Sequence, residues 1–319
     1  MSDMTDTTKM DEQVRDLLEE ASSWPPSDLD GNSTHRDRVN QLLEFSWGPP
    51  YQEVAYTDEH VASIGDYPVR VKEYAPKQWS EAESVAALVR LHAGGMALGS
   101  PEVEDRTSRA LANALGCKVF VPAYRLAPEW PHPAAVEDCR TACRWVAGNA
   151  KPLGVEASQI AVLGHSAGGM LALACGLDAH IVDELTRIVL IEPVFGPGIE
   201  TASLLRFASG YGLSREELQR YWSLYLPEGA GAEPANAPWL ATDADFSVLP
   251  PVDIFTSELD PLRDEGQQLA ERLRRSGISV THCCFRGLIH GSISYSGRVN
   301  AAGRAFDAVI EALRSGWQE

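Results

Sequence analysis

From about residue 53 the chain alternates short apolar runs with longer stretches in which apolar residues recur every three or four positions. The two periods predict strands and helices in turn. Runs at 85–91, 118–122, 160–163, 187–191 and 252–256 have the length and bounding residues of strands buried on both faces. The segments 105–115, 134–149 and 167–178 carry the helical period. A hairpin is expected ahead of them, from 53–64 into 67–74, turning at Gly65-Asp66. Strands alternating with helices imply an α/β protein with a mostly parallel sheet covered on both sides.

Two segments stand outside this alternation. Residues 1–50 predict two short amphipathic helices, one carrying Val14, Leu17 and Leu18, the other Val39, Leu42 and Leu43, divided by a breaker run over 24–32. The interval 195–250 is too long for a crossover and is rich in aromatics. Its Ser214-x-x-Glu217 capping box is followed by Leu218, Tyr221, Trp222 and Tyr225 at helical spacing. These patterns divide the chain into a helical segment, 1–50, that needs another surface to bury against, and one α/β unit, 51–319, with an inserted helical cap at about 197–245.

Charge and composition narrow the function classes. Of 319 residues, 27 are Lys or Arg and 45 are Asp or Glu, a net charge of −18 that argues against nucleic acid and against an anionic membrane surface as partner. No stretch approaches the roughly 18 to 20 apolar residues of a membrane span, and the polar, acidic start does not resemble a signal peptide, so no membrane insertion is expected and a cytoplasmic location is. The six cysteines fall mostly within apolar runs and read as buried or half-buried free thiols, although Cys139 and Cys143 lie one helical turn apart, the spacing of a metal or redox pair.

The chemistry concentrates at a few turns. Gly164-His165-Ser166-Ala167-Gly168 lies between an apolar strand and a helix, the context in which G-x-S-x-G makes a tight turn that pushes its serine above the sheet. Ser166 is thus a candidate nucleophile, and it needs a general base backed by a carboxylate. His282 falls inside the alternating run 279–285, whereas His290 follows it in a loop at the edge where open α/β sheets bind ligands, making His290 the better base. Asp260 is the candidate acid, with Glu258 as the alternative and a turn aspartate before Pro261 as the bland reading. Gly94 and Gly95, following the strand at 85–91, could offer N–H groups together with Ala167 as an oxyanion hole, and His92 reads as a loop anchor.

Together, LHAGG, the run Tyr124 to Asp138, GHSAGG, DPLRDEG and the late His290 resemble the hormone-sensitive-lipase family of α/β-hydrolase esterases over roughly residues 65 to 310. The resemblance implies an α/β-hydrolase fold with an eight-stranded, mostly parallel sheet, in which residues 1–50 are an N-terminal helical cap segment and 51–319 the catalytic domain, the insert at about 197–245 completing the cap. It also implies Ser166, Asp260 and His290 as catalytic triad and Gly94, Gly95 and Ala167 as oxyanion donors. Ala93 stands where the family has the first glycine of HGGG, and His165 where it has the Asp of GDSAGG.

The expected function is hydrolysis of small, short- to medium-chain apolar esters through an acyl-enzyme, without cofactor or metal. An amidase or lactonase using the same triad, and a non-catalytic small-ligand receptor, are the alternatives. His165, Met96, Trp222, Leu262 and Ile289 are candidate substrate contacts, and a homodimer through an edge strand or the last helix is compatible with the fold.

Overall fold

The computed structural model describes residues 10–21, 40, 48–63, 67–228, 232–233 and 236–317. Its strands are β1 (Tyr56–Ala62), β2 (Val69–Ala75), β3 (Val85–Leu91), β4 (Lys118–Pro122), β5 (Val155–His165), β6 (Leu185–Ile191), β7 (Val252–Ser257) and β8 (Val280–Phe285). They form one sheet in the order β1-β2-β4-β3-β5-β6-β7-β8. The β1–β2 and β2–β4 pairs are antiparallel, and the other five pairs are parallel. The helices are α1 (Glu12–Ala21), α2 (Asp105–Leu115), α3 (Ala134–Gly148), α4 (Ala167–Gly176), α5 (Ala202–Arg206), α6 (Arg215–Tyr225), α7 (Asp243–Phe246), α8 (Arg263–Arg275) and α9 (Asn300–Gly316).

Alternation within the central strands explains the two-sided core. Val89, Val162 and Leu190 face a cluster completed by α3, α4, α8 and the insert, through residues such as Val136, Met170, Leu269 and Trp222. Leu88, Leu163 and Val189 face a second cluster, completed by Leu111 of α2, Phe306 of α9 and Val14 and Leu17 of α1. A parallel sheet needs both layers because its strands are apolar on both faces.

Differences from the periodicity are local. β5 begins at Val155 rather than 160, because Glu156, Ala157 and Ser158 are exposed and a bulge in the β3–β5 pairing separates them from the buried run. The Ser214–Glu217 capping box closes α6 as read from the sequence. Helix α1 forms over Val14 and Leu17, whereas the expected second helix near Leu42 and the Gly65-Asp66 turn lie outside the described residues. Four cysteines are buried and all six are free, but Cys283 is half-buried and Cys284 exposed, because both sit on β8 at the edge of the sheet. No described helix is long and apolar enough to cross a membrane.

One buried ion pair is invisible to periodicity. Lys118 at the start of β4 and Glu73 on neighbouring β2 are each about 2% exposed, with Lys118 Nζ 2.8 Å from Glu73 Oε1. Tyr56 Oη donates to the same oxygen at 2.8 Å, and Lys118 Nζ donates to the Leu153 carbonyl at 2.6 Å. Removing one partner strands a buried charge. Lys118→Ala should therefore lower unfolding stability by about 3–5 kcal/mol, read by urea denaturation, and a loss below about 1 kcal/mol would contradict this account.

Candidate active site

Parallel strands that end in register bring their following residues to one edge. His165 pairs with Ile191 across β5–β6, Ile191 with Phe255 across β6–β7, and Ser257 with Phe285 across β7–β8. The residues just beyond these ends are Ser166, Glu192, Asp260 and His290, which explains how side chains 124 positions apart come to share one site.

Ser166 occupies the turn from β5 into α4 with φ +52 and ψ −114, a conformation L-residues rarely adopt. The turn closes only because its flanks are bare. A Cβ on Gly164 would lie 2.1 Å from the Gly168 carbonyl oxygen, and one on Gly168 would lie 2.1 Å from the Leu91 carbonyl oxygen. Ser166 Oγ stands 3.1 Å from His290 Nε2, and His290 Nδ1 stands 2.9 Å from Asp260 Oδ2. Asp260 is fully buried, and its other oxygen accepts the Leu262 N–H at 2.8 Å. A carboxylate that fixes an imidazole, which in turn receives a serine proton, is the arrangement needed to make that hydroxyl a nucleophile.

Burial alone would disfavour the charged form of His290. The Asp260 charge and hydrogen bond outweigh it, with Glu192 adding to them, and the imidazole is raised to about 9. The other candidates have different partners. Glu258 accepts the Gly287 N–H at 2.9 Å and so steadies the base of the His290 loop, while His282 meets Thr256 Oγ1 at 3.0 Å on the sheet edge.

The glycine pair follows β3. Gly94 and Gly95 have φ of +118 and +61, and a Cβ on Gly94 would meet the Leu98 backbone at 2.3 Å. Among the described residues no acceptor takes the N–H of Gly94, Gly95 or Ala167. His92 anchors this loop: its ring stacks on Tyr124 at 3.9 Å, its Nδ1 donates to the Ala93 carbonyl at 2.8 Å, and burial lowers it to about 4, keeping it neutral. Tyr124 Oη donates back to the His92 carbonyl at 2.9 Å, and Arg125 clasps Asp138, so the Tyr124–Asp138 motif props the glycine loop from behind.

The candidate contact residues fall into different places. Met96, Leu262 and Ile289 are buried around the site, Met96 with φ +58. His165 is about 2% exposed and its Nε2 donates to Glu192 Oε2 at 3.1 Å, so it reaches the site through Glu192 rather than by touching a ligand. Trp222 packs edge-on to Trp239, ring centroids 5.3 Å apart, inside the insert. Its neighbour Tyr221 lies over the glycine pair instead, its ring filling the space that a Gly95 side chain would take at 2.3 Å. Helical spacing marked both residues but could not tell which one faced Gly95.

Sequence reasoning missed Glu192, because a lone glutamate after a strand carries no motif. The signal it did offer was a charged residue immediately following five buried positions. It also missed the insert's grip on the histidine loop: Gly212, φ +83, approaches so closely that a Cβ would lie 2.1 Å from the His290 carbonyl oxygen, and the His290 N–H donates to the Tyr211 carbonyl at 3.1 Å. In the DPLRDEG motif, Asp264 accepts the Ser203 N–H and Glu265 the Phe195 N–H, so both first-turn carboxylates tie the insert to α8. Burial pushes Glu265 up to about 8.

Two triads of side chains come close enough to share an ion: Asp58, His60 and Glu73, and Glu192, Asp260 and His290. Lys118 already neutralises the first at Glu73. In the second, both Asp260 oxygens and both Glu192 oxygens are engaged with N–H or O–H donors.

Comparison with known proteins agrees with this fold. A family model described as alpha/beta hydrolase fold matches residues 88–294. An ethyl acetate hydrolase of Pseudomonas putida is 34% identical over 251 residues, covering 77% of this chain and 78% of that protein. A carboxylesterase of Mycobacterium tuberculosis is 34% identical over 294 residues, covering 89% of each. Among solved structures, an α/β-hydrolase enzyme from the metagenome of Lake Arreo superimposes with a TM-score of 0.88 at 30% identity, covering 97% of this chain and 99% of that one. The chain belongs to the α/β-hydrolase fold family, in its hormone-sensitive-lipase-like carboxylesterase branch.

Proposed function

We propose that the protein is a serine carboxylester hydrolase of small, short- to medium-chain apolar esters, with Ser166 as nucleophile, His290 as general base and acid, and Asp260 as the carboxylate that orients it. The observation that carries the reading is the continuous relay from Ser166 Oγ to His290 Nε2 at 3.1 Å and from His290 Nδ1 to Asp260 at 2.9 Å. Relatives named as ethyl acetate hydrolase and arylesterase support ester over amide chemistry.

In the first step the Ser166 Oγ–carbon bond forms as the hydroxyl proton passes to His290 Nε2. The carbonyl oxygen gains charge, and the N–H groups of Gly94, Gly95 and Ala167 receive it. The tetrahedral intermediate then breaks its carbon–oxygen bond to the alcohol, and His290 returns the proton to that leaving oxygen. Water next attacks the acyl-enzyme, giving its proton to His290; Ser166 Oγ leaves and recovers it as the acid departs.

In this reading residues 1–50 and the insert at about 197–245 form a cap on one catalytic domain, 51–319. The Tyr221 ring packs against Gly95, one of the proposed oxyanion donors, and on that placement the reading favours short acyl chains. Six free cysteines fit a cytoplasmic, reducing location, and the open β8 edge offers a surface for a homodimer.

Hydrolysis of an aryl-ester ladder from acetyl to palmitoyl should peak at short chains, and Ser166→Ala should lose at least about 1000-fold in kcat. Full activity in that variant, or failure of an organophosphate to label Ser166, would remove the assignment. A panel of amides and lactones tried with the unaltered protein, with Ser166→Ala as control, separates the neighbouring chemistries.

Two further outcomes follow from the geometry. His290 must be neutral to accept a proton, and its carboxylate neighbours hold it protonated above its ordinary value of 6.5. The rising limb of kcat/KM with pH should therefore have its midpoint above 6.5, toward 9; a midpoint at or below 6.5 contradicts this. Truncating the ring over Gly95, as Tyr221→Ala, should raise the hexanoyl-to-acetyl ratio of kcat/KM about tenfold, and an unchanged ratio would show that Tyr221 does not limit chain length.

A further inference from the structure

The triad leaves one buried carboxylate beside it without a role. Glu192 follows β6 with φ +46 and is about 2% exposed. Its Oε1 accepts the Ser257 hydroxyl, and its Oε2 accepts the His165 Nε2–H at 3.1 Å and the Gly291 N–H at 2.6 Å. The same Oε2 stands 3.9 Å from His290 Nδ1. That distance is too long for a hydrogen bond, so the contact acts through charge. His290 is thus faced by two carboxylates, one bonded to it and one not.

A purely structural group here would not need to be charged, since an amide carbonyl could accept from Gly291 and His165 while its NH2 donated to the Ser257 hydroxyl oxygen. Holding an ionised carboxylate in the interior is costly unless a cation stands nearby. Attack by Ser166 creates such a cation, the His290 imidazolium, 3.9 Å away. The left-handed backbone at Glu192 is a second cost, accepted where its neighbours over-determine it.

We propose that Glu192, held by His165 and Ser257, is a positioning residue for His290: it fixes the histidine loop through the Gly291 N–H and sets a second negative charge against the imidazolium. The inference rests on His290 being the base in the reading above. The groups that bear on His290 from each packed element are Asp260 beyond β7, Glu192 beyond β6, His165 at the end of β5 with ring centroids 6.3 Å apart, Glu217 on α6 and Glu265 on α8. Glu192 itself is pushed up by burial, but the His165 bond and the His290 charge outweigh this, and it is held below the ordinary carboxylate value. His165, the departure from the family's usual aspartate, is what lets a carboxylate sit at 192, because an aspartate there would face Glu192 with like charge.

The test uses the rate at which a diethyl aryl phosphate labels Ser166 in the full chain, followed against pH. In Glu192→Gln the oxygen facing Gly291 and His165 stays, the NH2 can donate to the Ser257 hydroxyl oxygen, and the charge goes, so the midpoint should move down by about one pH unit, with the plateau rate lower by about tenfold. In Glu192→Asp the charge stays and the reach to Gly291 is lost, so the midpoint should remain near that of the wild type while the plateau falls. A wild-type midpoint in Glu192→Gln overturns the proposal. Should that variant not fold, His165→Asn decides: it strips the donor that helps hold Glu192 ionised, so the midpoint should move down toward that of an imidazole faced by Asp260 alone, and an unmoved midpoint is the overturning result. Absence of labelling in the wild type, or equal labelling of Ser166→Ala, would instead strike the ester-hydrolase reading.

Discussion

The closeness of one backbone to another at Gly164 and Gly168 is the constraint on which the rest of the site depends. A side chain at Gly168 would collide with the Leu91 carbonyl, and one at Gly164 with the turn of α4 itself, so α4 can dock against the end of β3 only as it stands. That docking places Ser166, the start of α4 and the glycine pair after β3 beside one another. The proposed nucleophile and its proposed oxyanion donors are therefore set by the packing of the sheet rather than by flexible loops, which is the preorganisation that acyl transfer requires. The strain of φ +52 at Ser166 is sustained by the same packing.

Among the described residues the non-glycine positions with φ in the left-handed region are Met96, Ser166 and Glu192. Each follows within five residues of the C-terminal end of a parallel strand, where the chain must turn sharply away from the sheet. Their electrostatic consequences interlock. Glu192 meets His165 because β5 and β6 end in register, and it meets Ser257 because β7 ends beside them. The sheet's register thus builds a charge pattern around His290 as well as a shape.

How far the sequence could be read depends on the range of the interactions involved. Strands β3 and β4 and helix α2 were legible to the residue, because their boundaries coincide with changes of period at Ala-, Val- and Leu-rich runs. The turn at Ser166 was legible because its geometry demands small residues at fixed offsets. Choosing His290 over His282 needed only the rule that ligands gather beyond strand ends. Choosing Asp260 over Glu258 rested on its being the first carboxylate clear of the strand, and the resemblance made that choice firmer; the Glu258 side chain is committed to Gly287. Glu73 with Lys118, and Glu192 with His165, were illegible for a common reason. Each pair is joined across neighbouring strands, and no local pattern records which polar residue on one strand will face which on the next.

The insert and the N-terminal helix, proposed above as a cap, do more than cover the site. Tyr211 accepts the His290 N–H, Gly212 abuts the His290 carbonyl, and the Asp11 N–H donates to the Gly287 carbonyl at the foot of the same loop. Arg298, just beyond that loop, pairs with Glu20 of α1. The loop carrying the proposed base is therefore gripped from three directions: by Glu258 and Glu192 from the sheet, by the insert from above, and by α1 from the side. Loops are ordinarily the mobile part of an α/β site, and a misplacement of about 1 Å is enough to cost about a hundredfold in rate. Covering the site and aiming His290 are consequently one structural task, and a change in the insert that leaves every catalytic side chain in place can still alter the chemistry.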